Sequence, residues 1–164
     1  MKITVINTGG TFNKVYNPLT GNLDVPTGAK ALETILQNTH NADIEVINIL
    51  AKDSLDLTKE DRQTIVDTIK QSQNENIIII HGTDTMDISA NFIAYHTLNK
   101  KIILTGAMIP MSINPVEATM NFSLALGFLN APIQNGVYIA MHGIVVSYEK
   151  IRKDKVAGKF LIID

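Results

Sequence analysis

Hydroxyl side chains and glycines gather at four places in this chain, each at the end of a short apolar run. They are Thr8-Gly9-Gly10-Thr11, Asp53-Ser54, Gly82-Thr83-Asp84-Thr85 and Thr105-Gly106-Ala107. If the apolar runs are parallel strands, these segments are strand-to-helix loops, which converge on one polar ligand site at the carboxyl edge of the sheet. Taken singly, each segment has a plain structural reading. Gly-Gly is turn material, and Thr or Asp ahead of a helix is a cap, as Asp84 would be for a helix starting near Met86. Their recurrence at four strand ends is what points to chemistry.

Other chemistries find no support in the same residues. The glycines do not spell GxGxxG and no GxxxxGK follows a strand, which speaks against dinucleotide and nucleoside-triphosphate sites. His40, His81, His96 and His142 lie far apart without metal-ligand spacing and read as surface or structural histidines. A GxSxG elbow is absent, and with no cysteine there is no thiol nucleophile, thiolate zinc site or disulfide framework.

Composition narrows the class further. With 14 Lys and Arg against 16 Asp and Glu and no basic cluster, nucleic acid is not an expected partner. No apolar stretch approaches the roughly 20 residues that cross a bilayer, so no membrane partner is expected. The amino terminus runs from a few apolar residues into glycines, too little for a signal peptide, and the expectation is a cytoplasmic protein. A chain of 164 residues, 45% hydrophobic, implies one domain, 1–164.

The elements that must position the four loops follow from periodicity. Strands are expected over Ile3–Ile6, Ile44–Ile49, Asn76–Ile80, Lys101–Leu104 and Val137–Met141. Helices are expected near Ala29–Gln37, from a Thr58/Asp61 cap to Gln71, and over Met86–Leu98 and Val116–Leu129. The unalternated Asn76-Ile77-Ile78-Ile79-Ile80 is the pattern of a central strand buried on both faces. Fold class is therefore α/β: a three-layer sandwich with a largely parallel central sheet and helices on both faces. The polar loop through Pro18, Gly21 and Pro26 is long enough to be a lid or binding loop. In the tail, Ile144–Val146 and Phe160–Ile163 look like strands, while Ser147–Lys159 between them is polar and lysine-rich.

Thr8-Gly9-Gly10-Thr11 and His81-Gly82-Thr83-Asp84-Thr85-Met86 resemble the two signature motifs of the bacterial-type L-asparaginase family. Asp53-Ser54-Leu55-Asp56-Leu57-Thr58 is similar to its substrate-binding serine loop, Gly106-Ala107-Met108-Ile109-Pro110 to its GAMRP segment, and Asn121 to the asparagine of the following helix. The resemblance is to the amino-terminal, catalytic domain. It implies hydrolysis of the side-chain amide of asparagine, in some members also glutamine, to the acid and ammonia without a cofactor. Relatives use the same domain to release ammonia for tRNA-dependent amidotransfer.

By this resemblance Thr11 matches the attacking threonine, and Thr83, Asp84 and Lys153 match the activating triad. Lys150 and Lys155 are nearby alternatives for the lysine. Ser54 matches the residue that holds the substrate's α-carboxylate. Gly10, Asp53, Gly82 and Ala107 complete the expected substrate contacts. The logic is sound, because a threonine hydroxyl is a poor nucleophile until a neighbour takes its proton.

Departures from the family pattern are specific. Asn22 or Leu23 stands where the mobile loop normally carries a tyrosine, leaving Tyr16 as the substitute. Leu55 replaces a polar head-group contact, Ile109 replaces the arginine of GAMRP, and Glu117-Ala118 replaces Asp-Gly. The family's second domain, which lends an acidic residue to a neighbouring subunit's site, has no counterpart in these residues. The resemblance leads to the expectation of an asparaginase-like amidohydrolase acting on asparagine as a homodimer or larger homo-oligomer. The rival is a non-catalytic amino-acid-binding or interaction protein on the same fold.

Overall fold

The structure is a computed structural model that describes residues 1–40, 42–96 and 98–163. In chain order its elements are β1 (Lys2–Gly9), β2 (Val15–Tyr16), β3 (Leu23–Asp24), α1 (Lys30–Leu36), β4 (Asp43–Lys52), α2 (Lys59–Gln71) and β5 (Asn76–Ile80). There follow α3 (Met86–Tyr95), β6 (Lys101–Thr105), α4 (Pro115–Leu129), β7 (Gly136–Met141), β8 (Ile144–Ser147), β9 (Ile151–Asp154) and β10 (Lys159–Ile162). The main sheet has the order β4-β1-β5-β6-β7-β8 and is parallel except for β8, which runs antiparallel to β7.

The isoleucine run sets this architecture. In β5, Ile77 and Ile79 enter one apolar cluster while Ile78 and Ile80 enter another, because successive strand residues point to opposite faces. The first cluster takes Ile65, Val66 and Ile69 from α2 and Ala90 and Ile93 from α3. The second takes Leu32 and Ile35 from α1 and Phe122 and Ala125 from α4. Helices therefore cover both faces, as the α/β reading requires.

Local signals account for the boundaries. Thr58 and Asp61 form a reciprocal capping box at the start of α2, and Asn114 caps α4 ahead of Pro115. Helix α3 stops at Tyr95, short of the expected Leu98, which is not helical; Thr97 lies outside the described residues. The long polar loop holds a two-residue hairpin, β2 with β3.

The tail differs most from expectation. The polar stretch contains β9, which pairs with β10 as a separate two-stranded sheet and never joins the main one. Ile151 and Phe160 of this hairpin are buried in the first apolar cluster, so it is fastened by side chains rather than by a shared ladder. No helix among the described residues is long and apolar enough to cross a membrane.

Strand order also locates the site. From β1 the chain passes to β4 on one side and returns to β5 on the other. The loops leaving β1 and β5 diverge to opposite faces there, opening a crevice at their carboxyl ends.

Candidate active site

The β1 and β5 loops meet at that crevice through bare backbone. Gly10 has φ 74, and a Cβ built there would lie 2.5 Å from the Gly82 nitrogen. A Cβ on Gly82 would in turn lie 2.6 Å from the Ser54 Cβ. Any side chain at either glycine would force the Thr11, Ser54 and Thr83 loops apart.

Each loop is then held by its neighbours. Buried Phe12 anchors the turn that carries Thr11, and Asn13 Nδ2 donates to Gly9 O at 2.7 Å and to Asn7 Oδ1 at 2.9 Å. The Ser54 and Thr83 loops are joined by Thr85, whose hydroxyl donates to Ser54 O at 2.7 Å. Arg62 from α2 clamps both, donating to Leu57 O at 2.7 Å, to Thr85 Oγ1 at 3.2 Å and to Ser89 Oγ at 3.0 Å.

These bonds sort the threonine hydroxyls. Thr8 donates to Ile80 O and Thr105 to Ala140 O, both at 2.8 Å, and Thr85 is occupied as above; the three serve the scaffold. Thr83 is buried and accepts from Lys153 Nζ at 2.8 Å, and the same ammonium donates to Asp84 Oδ1 at 2.9 Å. Among the described residues no protein group bonds the Thr11 hydroxyl, and Thr11 is half-buried beside the crevice. Thr83, Lys153 and Asp84 thus form one bonded unit, and the turn that carries Thr11 meets the Thr83 loop through Gly10 and Gly82.

The other expected site residues fare unequally. Ser54 is buried and its hydroxyl has no partner among the described residues. Asp53 is committed: its carboxylate takes Lys14 Nζ at 2.6 Å and the Leu55 N–H at 3.2 Å. Burial pushes the Asp53 carboxyl up, but the Lys14 bond, then the backbone N–H bonds, outweigh it and hold the group below the usual carboxylate range. Ala107 packs its methyl into the second apolar cluster, so only its backbone is available to a ligand. Tyr16 is 63% exposed on the hairpin and the structure does not bond it to the others. It stands directly across from Leu23, so the two side chains share one face of the hairpin. Leu55, 64% exposed, offers only apolar surface.

Two residues of the site's support, Lys14 and Arg62, were missed in the sequence. Lys14 follows the Thr11 turn with no periodic cue. Arg62 did carry a signal, since 62, 65, 66 and 69 form a helical stripe that places a guanidinium among buried isoleucines. His81, read as surface or structural, is fully buried; its Nδ1 lies 2.7 Å from Gly82 O while Nε2 has no partner among the described residues.

The sequence model of the asparaginase amino-terminal domain matches residues 2–158. The chain belongs to the asparaginase family. An L-asparaginase of Thermococcus kodakarensis is 29% identical over 93% of this chain and 48% of its own length. The solved structure of the thermostable enzyme from that organism superposes with a TM-score of 0.87 at 26% identity, covering 99% of this chain and 51% of that one. A subunit of the glutamyl-tRNA(Gln) amidotransferase of Methanococcus maripaludis is 29% identical over 86% of this chain and 35% of its own length. The chain thus spans about half, or less, of these relatives.

His81 gives the scaffold a pH dependence. Burial, with Arg62 adding a smaller push against the Gly82 bond, lowers the imidazole from 6.5 to about 4. The unfolded chain binds this proton more readily, so the stability is complete above about pH 6.5 and declines as pH falls toward about 4. Urea unfolding should show about 2 kcal/mol lost from this group between about pH 7 and about pH 5. His81→Gln should remove that part of the slope, and an unchanged slope would contradict the assignment.

Proposed function

We propose that this domain hydrolyses the side-chain amide of a small amino acid, asparagine in preference to glutamine, with Thr11 as nucleophile. The observation that carries the reading is Lys153, brought from a separate hairpin to within 2.8 Å of Thr83 and 2.9 Å of Asp84, on a loop whose Gly82 meets Gly10 of the turn that carries Thr11. Before attack the lysine ammonium releases one proton to bulk water; its lone pair then accepts from the Thr83 hydroxyl over the same short separation, and Thr83 accepts the proton of Thr11.

Thr11 Oγ adds to the amide carbon, and backbone N–H groups of the Gly10 and Thr83 loops stabilise the oxyanion. The C–N bond breaks as nitrogen takes the relayed proton and leaves as ammonia. Water then cleaves the threonine ester to the free acid, returning the proton to Thr11. Ser54, buried without a partner among the described residues, supplies a hydroxyl that a substrate carboxylate would satisfy. Tyr16 approaches from the hairpin in place of a tyrosine at Asn22 or Leu23, and Gly10, Gly82 and the Ala107 backbone shape the walls. Asp53 acts through Lys14, holding the serine loop against the nucleophile turn.

The domain 1–164 is proposed to act as a homodimer. Ile109, Ile113, Val116 and Met120 are exposed together around the start of α4, close in sequence to the Ala107 loop. A second copy covering them would also exclude water from the crevice, strengthening the electrostatic interactions the reaction uses.

Ammonia release from asparagine by the wild type should fall by ~100-fold or more in Thr11→Ala, about 3 kcal/mol of transition-state stabilisation. Equal, negligible rates in both would leave the rival reading, a protein that binds amino acids without cleaving them. Lys153→Met and the double variant with Asp84→Asn should be almost equally inactive, because groups that act as a unit lose activity non-additively. Activity surviving Lys153→Met but lost with Lys150→Met or Lys155→Met would assign the wrong lysine here. On dilution, specific activity and light-scattering mass should fall in step; monomers with full activity would remove the case for a dimer.

A further inference from the structure

His142 sits at the tip between β7 and β8 with φ 52, the one non-glycine residue in the left-handed region among the described residues. Such a position is strained for most side chains and persists when its surroundings hold it. Here they do. The His142 N–H donates to Asn121 Oδ1 at 2.9 Å, and Asn121 Nδ2 donates on to Gly106 O at 3.0 Å. Both ring nitrogens are also engaged: Nδ1 accepts the Phe160 N–H at 3.3 Å and Nε2 lies 3.0 Å from Glu117 Oε1. Because Nδ1 accepts, Nε2 carries the proton and donates to the carboxylate. Glu117 in turn accepts the N–H groups of Met108 and Ile109, each at 2.9 Å.

Phe160 faces Lys153 directly across the β9–β10 ladder. The hairpin shares no ladder with the main sheet, so burial of Ile151 and Phe160 holds it without fixing its slide, apolar contact being non-directional. The bond from Phe160 N–H to His142 is directional, and the ring also meets Phe160 edge-on at 5.8 Å between centroids. From this we infer that His142, held by Glu117 and Asn121, is a positioning residue for Lys153: it pins the hairpin at the residue opposite the lysine, so that Nζ reaches Thr83 and Asp84 together. The inference rests on the reading of Lys153 as part of the reaction.

His142→Asn tests it, since asparagine tolerates the left-handed backbone but is too short to span from Glu117 to Phe160. Glu117→Gln, which leaves residue 142 untouched, is the second variant. In each, kcat for ammonia release should fall about 10-fold or more while KM changes less than about 2-fold. The double variant should be no worse than the poorer single one. An activity-independent readout is the rate at which a water-soluble acylating reagent modifies Lys153, followed by peptide mass. The wild-type lysine, 14% exposed and doubly bonded, should react slowly, and both variants faster by at least about 3-fold. Unchanged kcat with unchanged labelling, or a loss seen only as a lower melting temperature, would overturn the inference. If the wild type cleaves no amide, the proposed function fails and the labelling rates alone decide the positioning. If Lys153→Met is inactive while His142→Asn and Glu117→Gln keep full kcat, the positioning fails and the function stands.

Discussion

The site depends on one close approach: the backbone of Gly10 lies against the backbone of Gly82, and Gly82 lies against the side chain of Ser54. A parallel sheet delivers its loops at strand spacing, and loops that carried Cβ atoms at these points would sit farther apart. With none, the Thr11 turn and the Thr83 turn touch. The left-handed φ of Gly10 turns the chain back toward β5, and buried Phe12 keeps the turn from lifting away. The glycines of the two signature segments thus matter for what they omit.

Contact of this kind buries polar backbone, and the bonds around it show how the groups are satisfied. Arg62 is driven into the gap between α2 and the β5 loop, where its donors meet carbonyls of the serine loop and the hydroxyls of Thr85 and Ser89. A buried guanidinium without such partners would be costly; with them it fixes the Ser54 and Thr83 loops to one helix. Among the described residues three buried atoms are left over, on Asn13, Ser54 and His81, all of them in or beside the nested loops. An unpaired buried polar atom costs roughly 1–3 kcal/mol, so this region is less stable than a plain core would be. Local instability concentrated where ligands are expected is a common mark of a functional site.

Strand β5 was legible in the sequence because a strand buried on both faces has no room for polar residues, and the four loops were legible because parallel strands all end on the same side. The α2 cap was legible because Thr58 and Asp61 bond each other locally. What failed was non-local. Strand β9 was hidden because its residues are polar and its pairing with β10 leaves it outside the main sheet. Ile151-Arg152-Lys153-Asp154 shows no apolar alternation, because the structure buries Ile151, exposes Arg152 and turns the charged Lys153 inward toward Thr83. Lys150 precedes β9 and Lys155 follows it, and both are exposed. The roles of Lys14, Arg62 and His142 needed partners from three other elements, which no spacing rule supplies.

The lysine's placement exposes a tension in this fold. The residues that would do chemistry on Thr11 and Thr83 ride on the rigid, doubly covered sheet, whereas Lys153 rides on a two-stranded ribbon, a unit that is marginal alone in water. A ribbon can be held by burial, but burial resists separation better than it resists sliding. Proton transfer is sensitive to distance on a scale of about 1 Å, so directional bonds must supply what packing does not. The ribbon receives them at both ends of one cross-strand pair: Lys153 bonds Thr83 and Asp84, and Phe160 bonds His142. In the proposed reaction the first set takes part in the chemistry and changes as protons move. The second is independent of it, and reaches through Glu117 to the backbone of Met108 and Ile109. Departures from the family pattern thus gain a physical meaning, because the longer carboxylate of Glu117 caps two N–H groups of the Ala107 loop and the imidazole that steadies the lysine strand at the same time.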